Sequence, residues 1–581
     1  AAEERRRRMK RQIIIVWCPL VLLVVIIAVA IVALEGRKDD PGTDEDIVAP
    51  PQRIYDPMLV QVKKEGVLRC GVPTKYGFST MNEETGEREG IAVDFCRAVS
   101  AAVLGPSFRI ELIDVTSITR FTSLAAHEID LLIFGDTHTM ERDFHEGRAN
   151  VGFQFTDPYF YDGLAFAGQA HPVKCADDFN WFGECEGLKI CVNAGTTHVD
   201  ILRNIFPDPN LIPTDKFLET FVDGGCNVIA GEQNDISEVV VLKAGYKGEF
   251  GNGEKVLSKE PLAMVTRKND QSWTDVANWV LRGLIHAEKI GISQGNANEF
   301  DQHGGHSDAI DFVSAIEAVG NYGDIYAKHM EHVVPRKGQN LLYIASEVNQ
   351  TGIQYSHPTG TIDEFRHHFA PDGKINQILD KGKLVCGVLG DENESMEVDY
   401  CRALSASLFA SDSSLFEVVK LTDESNLAEK LDSGSVDVIV GAPVNIDVDI
   451  SPLNETAKGF SGLAFSQPYI YYSESRDHLE HGSRPKALAT GQKDADWSTF
   501  VYWVVANAIA AEENGITRGD FRDIPDVKFF GDEFEWMFRG PILAVGNYGE
   551  IYERHSENLP PRKNENLLND GSSPQLWHQA F

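Results

Sequence analysis

An arginine stands just beyond an apolar run in the segment GDTHTMERD, residues 135–143. The run LLIF, residues 131–134, predicts a buried strand, and Arg142 follows its carboxyl end. A planar guanidinium can hold a carboxylate through two parallel hydrogen bonds. An arginine in such a place is nevertheless more often a solvated surface residue. The position alone therefore leaves an anion-binding residue and a surface residue as alternatives.

Cysteines are the second group of residues that could do chemistry. Cys18 lies in an apolar segment, and the other eight are Cys70, Cys96, Cys175, Cys185, Cys191, Cys226, Cys386 and Cys401. An even number in an oxidising compartment favours disulfides. A metal site is the alternative, although the sequence has no CxxC or HExxH pattern. Cys175 and Cys185 flank a short loop and are predicted to bond to each other.

The amino-terminal region predicts a membrane anchor. Ile13–Leu34 is an uncharged apolar run, and about 20 such residues suffice to cross a bilayer. Basic residues precede the run and the acidic segment DDPGTDEDI follows it, so the positive-inside rule places residues 1–12 in the cytoplasm. The bulk of this single-pass protein would then be extracellular, periplasmic or lumenal. A cleaved signal peptide is the alternative, but its apolar region would be shorter, about 7–15 residues.

Composition and short motifs limit the classes of partner and modification that the chain can have. The formal net charge of −35 argues against nucleic acid, because binding a phosphate backbone depends on lysine and arginine. The sequence indicates no cofactor. Three N-x-S/T sequons would be glycosylated in a eukaryotic host, and they begin at Asn349, Asn393 and Asn454.

The chain repeats itself in ordered blocks. LRCGV from Leu68 returns as LVCGV from Leu384, and AVGNYGDIY from Ala318 returns as AVGNYGEIY from Ala544. A duplicated domain explains this order. Equivalent cysteines then predict the disulfides Cys70–Cys96 and Cys386–Cys401, which leaves Cys191–Cys226 as the remaining pair.

The second copy is shorter than the first. The distance from Pro158 to Trp273 is 115 positions, whereas the distance between their counterparts, Pro468 and Trp497, is 29. About 86 residues, the size of a small lobe, are therefore missing. The first copy alternates strands with helices, which favours an α/β architecture with largely parallel sheets.

Several motifs together resemble a known family. They include RFTSLAAHEIDLL, FTDPYFYDG, CVNAGTT, WVLRGLIHAEKIGI and AVGNYGDIY. The chain resembles type II periplasmic solute-binding proteins of family 3, and within them the general L-amino-acid-binding proteins of bacterial ABC importers. The resemblance implies an α/β fold of two lobes that close on a ligand (a Venus flytrap), followed by a truncated copy of one lobe.

The resemblance also implies site residues. Arg142 would hold the ligand's α-carboxylate, with Thr137 beside it and the turn of Thr196 and Thr197 donating backbone amides from the second lobe. Glu232 would take the ligand's ammonium. Two residues that would line the pocket are Phe78 and Ser79. Asp136 stands where close relatives tend to have a hydroxyl residue, so we expect it to affect specificity or to lie at the rim.

These expectations divide the chain into segments. They are a basic segment 1–12, an anchor 13–34, an acidic linker 35–60, a solute-binding domain 61–345, a linker 346–372, a one-lobe copy 373–570 and a tail 571–581. Within the solute-binding domain, lobe one covers about 61–163 and 263–345, and lobe two about 164–262. We call residues 61–345 copy one and residues 373–570 copy two.

The predicted function is binding of a free L-amino acid outside the cytoplasm, for uptake or sensing with a transporter or receptor partner. Copy two has no lysine, arginine or histidine between Lys430 and Lys458, where the counterpart of Arg142 would lie, so we expect it not to bind. A structural or adhesion scaffold is one alternative. A prephenate or arogenate dehydratase is another, but no acid/base constellation stands out for it.

Overall fold

The computed structural model describes residues 57–268, 270–303, 310–336, 352–353, 367–390, 394–444, 462–472, 484–562 and 575–576. The predicted anchor, Cys18 and the three sequon asparagines lie outside these residues. Within the described ranges, no helix combines the length and the hydropathy needed to cross a membrane.

Copy one alternates strands and helices. Its strands are β1 (Leu68–Val72), β2 (Thr80–Met81), β3 (Arg88–Glu89), β4 (Ile110–Asp114), β5 (Leu131–Thr137), β6 (Phe153–Phe155), β7 (Phe160–Asp162), β8 (Leu164–Gly168), β9 (Ile190–Asn193), β10 (Leu211–Thr214), β11 (Val228–Glu232), β12 (Gly251–Val256) and β13 (Glu260–Arg267). Its α-helices are α1 (Met58–Glu65), α2 (Ile91–Leu104), α3 (Arg120–Ala125), α4 (Met140–Phe144), α5 (Ala170–Asp177), α6 (Thr197–Arg203), α7 (Phe217–Val222), α8 (Glu238–Lys243), α9 (Gln271–Lys289), α10 (Phe312–Val319) and α11 (Tyr322–His329).

These elements form two lobes, each with a mixed sheet. The sheet of lobe one has the order β4-β1-β5-β13-β6, with β7 also on β13, and the sheet of lobe two has the order β10-β9-β11-β8-β12. In both sheets the central strands run parallel and the strands that connect the lobes join antiparallel. The chain enters lobe two after β7 and returns to lobe one along β13.

Copy two contains one such sheet. After β14 (Gly352–Ile353), its strands are β15 (Leu384–Val388), β16 (Phe416–Lys420), β17 (Val438–Pro443), β18 (Leu463–Phe465), β19 (Ile470–Tyr472) and β20 (Arg484–Gly491), and β21 (Gln575–Leu576) lies beyond it. Its α-helices are α12 (Lys374–Lys381), α13 (Met396–Leu408), α14 (Leu427–Asp432), α15 (Ala495–Glu513), α16 (Arg539–Val545) and α17 (Tyr548–Arg554). The order β16-β15-β17-β20-β18, with β19 on β20, repeats the order found in lobe one.

The repeated motifs make the same contacts in both copies. Trp273 and its counterpart Trp497 are buried, and each indole N–H donates to the backbone carbonyl of the aspartate before the central strand, at 3.0 Å to Asp130 and 2.8 Å to Asp437. The NYG motifs begin α11 and α17 with reciprocal capping boxes, in which the asparagine side chain accepts from the main chain three residues later. The duplication seen in the sequence therefore extends to individual hydrogen bonds.

The four disulfides expected from the sequence are present. They join Cys70 to Cys96, Cys175 to Cys185, Cys191 to Cys226 and Cys386 to Cys401. The first joins strand β1 to helix α2, and the last joins strand β15 to helix α13. These two disulfides therefore occupy equivalent places in the two copies.

The two copies pack against each other through roughly reciprocal contacts. Lys268, which follows β13, forms an ion pair of 2.5 Å with Asp496 of α15. Gln492, the counterpart of Lys268, donates to Asp275 of α9 at 2.9 Å. Val444, the counterpart of His138 when the strand glycines are aligned, is buried in the core of lobe one. The interface therefore has approximate two-fold symmetry.

Candidate functional site

The lobe-one side of the site is built at the end of β5. Thr139 caps α4, because its hydroxyl accepts from the Arg142 backbone N–H at 3.3 Å. The half-buried guanidinium of Arg142 donates to the Thr137 carbonyl at 2.6 Å and lies 5.3 Å from the centre of the Phe121 ring. In the described part of the chain, no carboxylate lies within 4.0 Å of its nitrogens.

Burial is the main influence on this guanidinium. It lowers the pKa of Arg142, and the nearby charge of Arg120 adds to the effect. The group remains charged, because an arginine pKa begins above 12. A buried cation without a carboxylate partner is costly, so this position favours an incoming anion.

Asp136 occupies a different role from the one expected. It is buried and forms an ion pair of 2.5 Å with Arg120, which is also buried. Arg120 donates as well to the Ser117 carbonyl and, across the cleft, to the Gly195 carbonyl at 3.4 Å. The Asp136 charge is therefore paired within lobe one, and the side chain is buried and does not lie at the rim.

The GTT turn forms the lobe-two side. Gly195 has φ +79°, and a Cβ there would lie 2.7 Å from a guanidinium nitrogen of Arg148, so the turn requires glycine. The Thr196 hydroxyl donates back to the Asn193 carbonyl at 2.8 Å. Thr197 opens α6 and its hydroxyl donates to Glu260 at 3.4 Å. The helix N-terminus therefore faces the strands that connect the lobes.

Glu232, the last residue of β11, is bound by a lysine from the opposite lobe. Lys75 Nζ lies 2.9 Å from its carboxylate and 2.7 Å from that of Asp235. Asn234 also donates to Glu232, at 3.3 Å. The lysine follows β1 by three residues and its ammonium lies 4.4 Å from the centre of the Phe78 ring. The Lys75 ammonium therefore already binds the Glu232 carboxylate, which was expected to bind the ammonium of a ligand.

The charges in this cluster compensate one another. Burial disfavours the ammonium of Lys75, but the carboxylates of Asp235 and Glu232 outweigh burial and raise its pKa. Burial alone would raise the pKa of Glu232, yet the Lys75 charge holds it below its usual range. Burial, and then the Glu232 charge, raise the pKa of the adjacent Asp162 to about 7. One ammonium is therefore shared by the carboxylates of Glu232 and Asp235.

The two pocket-lining residues are both buried beneath this cluster. The Phe78 side chain is buried and its ring contacts that of Phe160. The Ser79 hydroxyl is buried and has no hydrogen-bond partner among the described residues. One carboxylate oxygen of Asp136 is likewise buried without a hydrogen-bond partner among the described residues. Such groups are usually satisfied in a native state, so a polar ligand could complete them.

Sequence reasoning missed Lys75 and Arg120, two of the side chains that connect the lobes. Both stand just after the carboxyl end of a strand or in the helix that follows it, as Arg142 does, so the same rule could have drawn attention to them. A further contact between the lobes joins the Ser117 hydroxyl to the Asn193 side chain at 3.1 Å. Contacts between the lobes therefore lie beside several of the predicted residues, at Glu232 and at the turn that follows β9.

In copy two, the residue equivalent to Arg142 is Val448 or Asp449, depending on the alignment, and both lie outside the described residues. The preceding residues, Gly441 to Val444, end β17 and carry no charged group. Copy two also lacks the counterpart of the sheet that supplies the GTT turn and Glu232. The described part of copy two therefore offers one face only.

Comparison with known proteins gives a consistent result. Residues 68–292 match the model of the bacterial extracellular solute-binding proteins, family 3. The chain is similar to a putative amino-acid ABC transporter-binding protein of Escherichia coli K12, with 29% identity over 52% of this chain and 92% of that protein. It is also similar to the general L-amino acid-binding periplasmic protein AapJ of Rhizobium johnstonii, with 30% identity over the same shares.

A third relative is named for a narrower set of amino acids. The glutamate/glutamine/aspartate/asparagine-binding protein BztA of Rhodobacter capsulatus is 31% identical over 42% of this chain and 70% of its own length. All three matches cover most of the relative and about half of this chain.

Proposed function

Because this chain belongs to the bacterial extracellular solute-binding proteins of family 3, and is a binding protein and not an enzyme, we propose that copy one binds one free L-amino acid in the cleft between its lobes. The observation that carries the proposal is the pair of opposite charges on facing lobes. Arg142, in lobe one, has no carboxylate partner among the described residues, and Glu232 ends a strand of lobe two and is reached from lobe one by Lys75. An amino acid offers the complementary carboxylate and ammonium.

In this proposal each end of the ligand has its own group. The α-carboxylate binds Arg142 and the Thr137 hydroxyl from lobe one, and the turn at Thr196 and Thr197 from lobe two. The α-ammonium binds Glu232. The pocket is completed by Phe78 and Ser79, whose buried hydroxyl gains a partner. Asp136 acts only through Arg120, by fixing the guanidinium that reaches across to lobe two.

The proposal is tested by calorimetric titration of the full chain with each standard L-amino acid. Arg142→Ala should weaken binding by about 2–5 kcal/mol, roughly 30- to 4,000-fold, because it removes one partner of a buried charge pair. Arg109→Ala is the matched control, since Arg109 also donates to backbone carbonyls of lobe one but lies far from the cleft. Equal affinity in both variants would reject the site.

Copy two is proposed not to bind. The loss of a second lobe and of the arginine leaves no pair of facing charges in its described residues. Titration of the full chain should therefore give one ligand per chain, and Arg142→Ala should leave no second site with the original affinity. A stoichiometry of two would show that copy two retains a site.

The amino-terminal segment supports a further part of the proposal. We propose that residues 13–34 anchor the protein, so that copies one and two lie outside the cytoplasm and pass the ligand to a transporter or receptor. The support is the apolar length of the segment and the basic residues before it. Extraction of membranes with alkaline carbonate should leave the full chain in the pellet and release a chain without residues 1–34.

A scaffold that inherited the fold is the second candidate. The observation that favours it is Lys75, which joins the two lobes through Glu232 and Asp235 with no ligand needed. The two functions are separated by the same titration, because a scaffold would bind none of the standard amino acids, whether or not Arg142 is present.

A further inference from the structure

The arginine-bearing helix α4 is held by copy two. The indole N–H of Trp503, in α15, donates to the Asp143 carboxylate at 2.7 Å, and both groups are buried. The same carboxylate contacts the His138 ring nitrogen at 2.8 Å. The ring of His138 lies 5.1 Å from that of Trp503. A side chain of copy two is therefore bonded to the residue next to Arg142.

Apolar packing holds the same helix on the side that faces copy two. Met140 and Phe144 are buried in the hydrophobic core of copy two. The Phe144 ring contacts the rings of His367, Phe369, Phe529 and Phe530. Residues four apart lie on one face of a helix, and the residue midway between them points away from that face. Arg142 accordingly points away from copy two, to the Thr137 carbonyl and the Phe121 ring.

A charged contact also connects helix α4 to copy two. Lys268 Nζ donates to the Asp143 backbone carbonyl at 2.9 Å and forms its ion pair with Asp496 of copy two. The pKa of Asp496 is about 2, because the hydrogen bond from His367 and the Lys268 charge outweigh its burial. The carboxylate is therefore charged at neutral pH, and α4 is tied to copy two at its carboxyl end as well.

We propose that copy two is a positioning element for Arg142, and that Trp503 is its main positioning residue. A helix of five residues is too short to be stable by itself, so its orientation depends on what it packs against. Here one face packs into copy two, which leaves the arginine on the other face directed into the cleft. The inference rests on the proposed role of Arg142 in amino-acid binding. Copy two would support that binding by orienting Arg142, without binding a ligand itself.

The test compares two tryptophans of α15 in the full chain. Trp503→Phe removes the N–H that reaches copy one, whereas Trp497→Phe removes one that bonds within copy two. Without ligand, amide hydrogen exchange across residues 140–144 should be faster in Trp503→Phe and unchanged in Trp497→Phe. Equal exchange in the two variants would overturn the proposal.

Ligand binding supplies the second readout, with L-glutamine and its α-amide as probes. We expect Trp503→Phe to weaken L-glutamine binding about two- to thirtyfold, as residues that touch no ligand typically do. Binding of the α-amide should change less, because it lacks the carboxylate that Arg142 holds. Equal losses for both probes would indicate general destabilisation and overturn the proposal. Faster exchange with no amino acid bound by any variant would support the positioning and reject the binding function.

Asp496→Asn keeps the test decisive if Trp503→Phe fails to fold. This nearly isosteric change weakens the hold of copy two on Lys268, which donates to the Asp143 carbonyl. It should also speed exchange across residues 140–144. Unchanged exchange in this variant would count against the proposal.

Discussion

Replacing Lys75 with methionine removes the ammonium that links the lobes and keeps a side chain of similar length. In the structure this ammonium binds Glu232 at 2.9 Å and Asp235 at 2.7 Å, and its side chain is 15% exposed. If Glu232 takes the ammonium of an amino acid, the ligand must displace Lys75 from it. We therefore expect Lys75→Met to bind amino acids more tightly than the unchanged chain.

The size of the effect follows from the bond that is displaced. A hydrogen bond to a charged group contributes about 1.5–3 kcal/mol, and the Met variant no longer has to break the one between Lys75 and Glu232. The affinity should rise by about 10- to 140-fold, at roughly 1.4 kcal/mol for each factor of ten. The free energy of unfolding should fall at the same time, because two buried carboxylates lose their partner.

Calorimetric titration with L-alanine and L-glutamate measures this prediction. Lys243→Met is the matched control, since Lys243 also crosses between the lobes but contacts the Tyr76 ring, 3.5 Å from its centre. The control should leave both affinities unchanged. Weaker binding of both amino acids by Lys75→Met would refute the reasoning. Weaker binding of L-glutamate alone would show that Lys75 holds the side-chain carboxylate of the ligand.

Three further outcomes follow from the described contacts. Arg120→Met should lower the free energy of unfolding by about 3–5 kcal/mol in urea denaturation, because it strands a buried carboxylate, and the double change with Asp136→Leu should recover most of the loss. Burial and the neighbouring carboxylate raise the pKa of Asp162 to about 7, so the folded chain keeps a proton that the unfolded chain releases near pH 4. The free energy of unfolding should therefore fall as the pH rises from about 4 to 7, and Asp162→Asn should reduce this pH dependence. Replacing Cys191 and Cys226 together with alanine opens a loop of 35 residues and should cost about 3–4 kcal/mol, measured by thermal unfolding with and without reductant.

The architecture was largely predictable because it repeats. Blocks such as LRCGV and AVGNYGDIY keep their order in both copies, where the first forms a strand and the second the junction of two helices. The repeated cysteines likewise indicate which strand bonds to which helix. What the sequence could not supply is the packing of copy two on copy one, because that interface is formed by side chains that differ between the copies.

The site was predictable only in part. Arg142 stands just beyond a strand end, so its place at the carboxyl end of β5 could be inferred before the fold was known. Lys75 could not be assigned a partner, because its carboxylates lie 157 and 160 positions away, in the other lobe. The ion pair of Arg120 with Asp136 could not be predicted from periodicity either, since the two residues lie 16 positions apart on a helix and a strand.

The segment GDTHTMERD shows how the duplication divided the work between the copies. In copy one its residues alternate between two tasks, since Arg142 points to the cleft while Met140 and Phe144 enter copy two. In copy two the counterpart of His138 is Val444, which packs into lobe one. In both copies, residues just after this strand therefore pack into the other copy. Under the proposed binding function, copy two contributes to binding through the surface that it provides for the arginine-bearing helix.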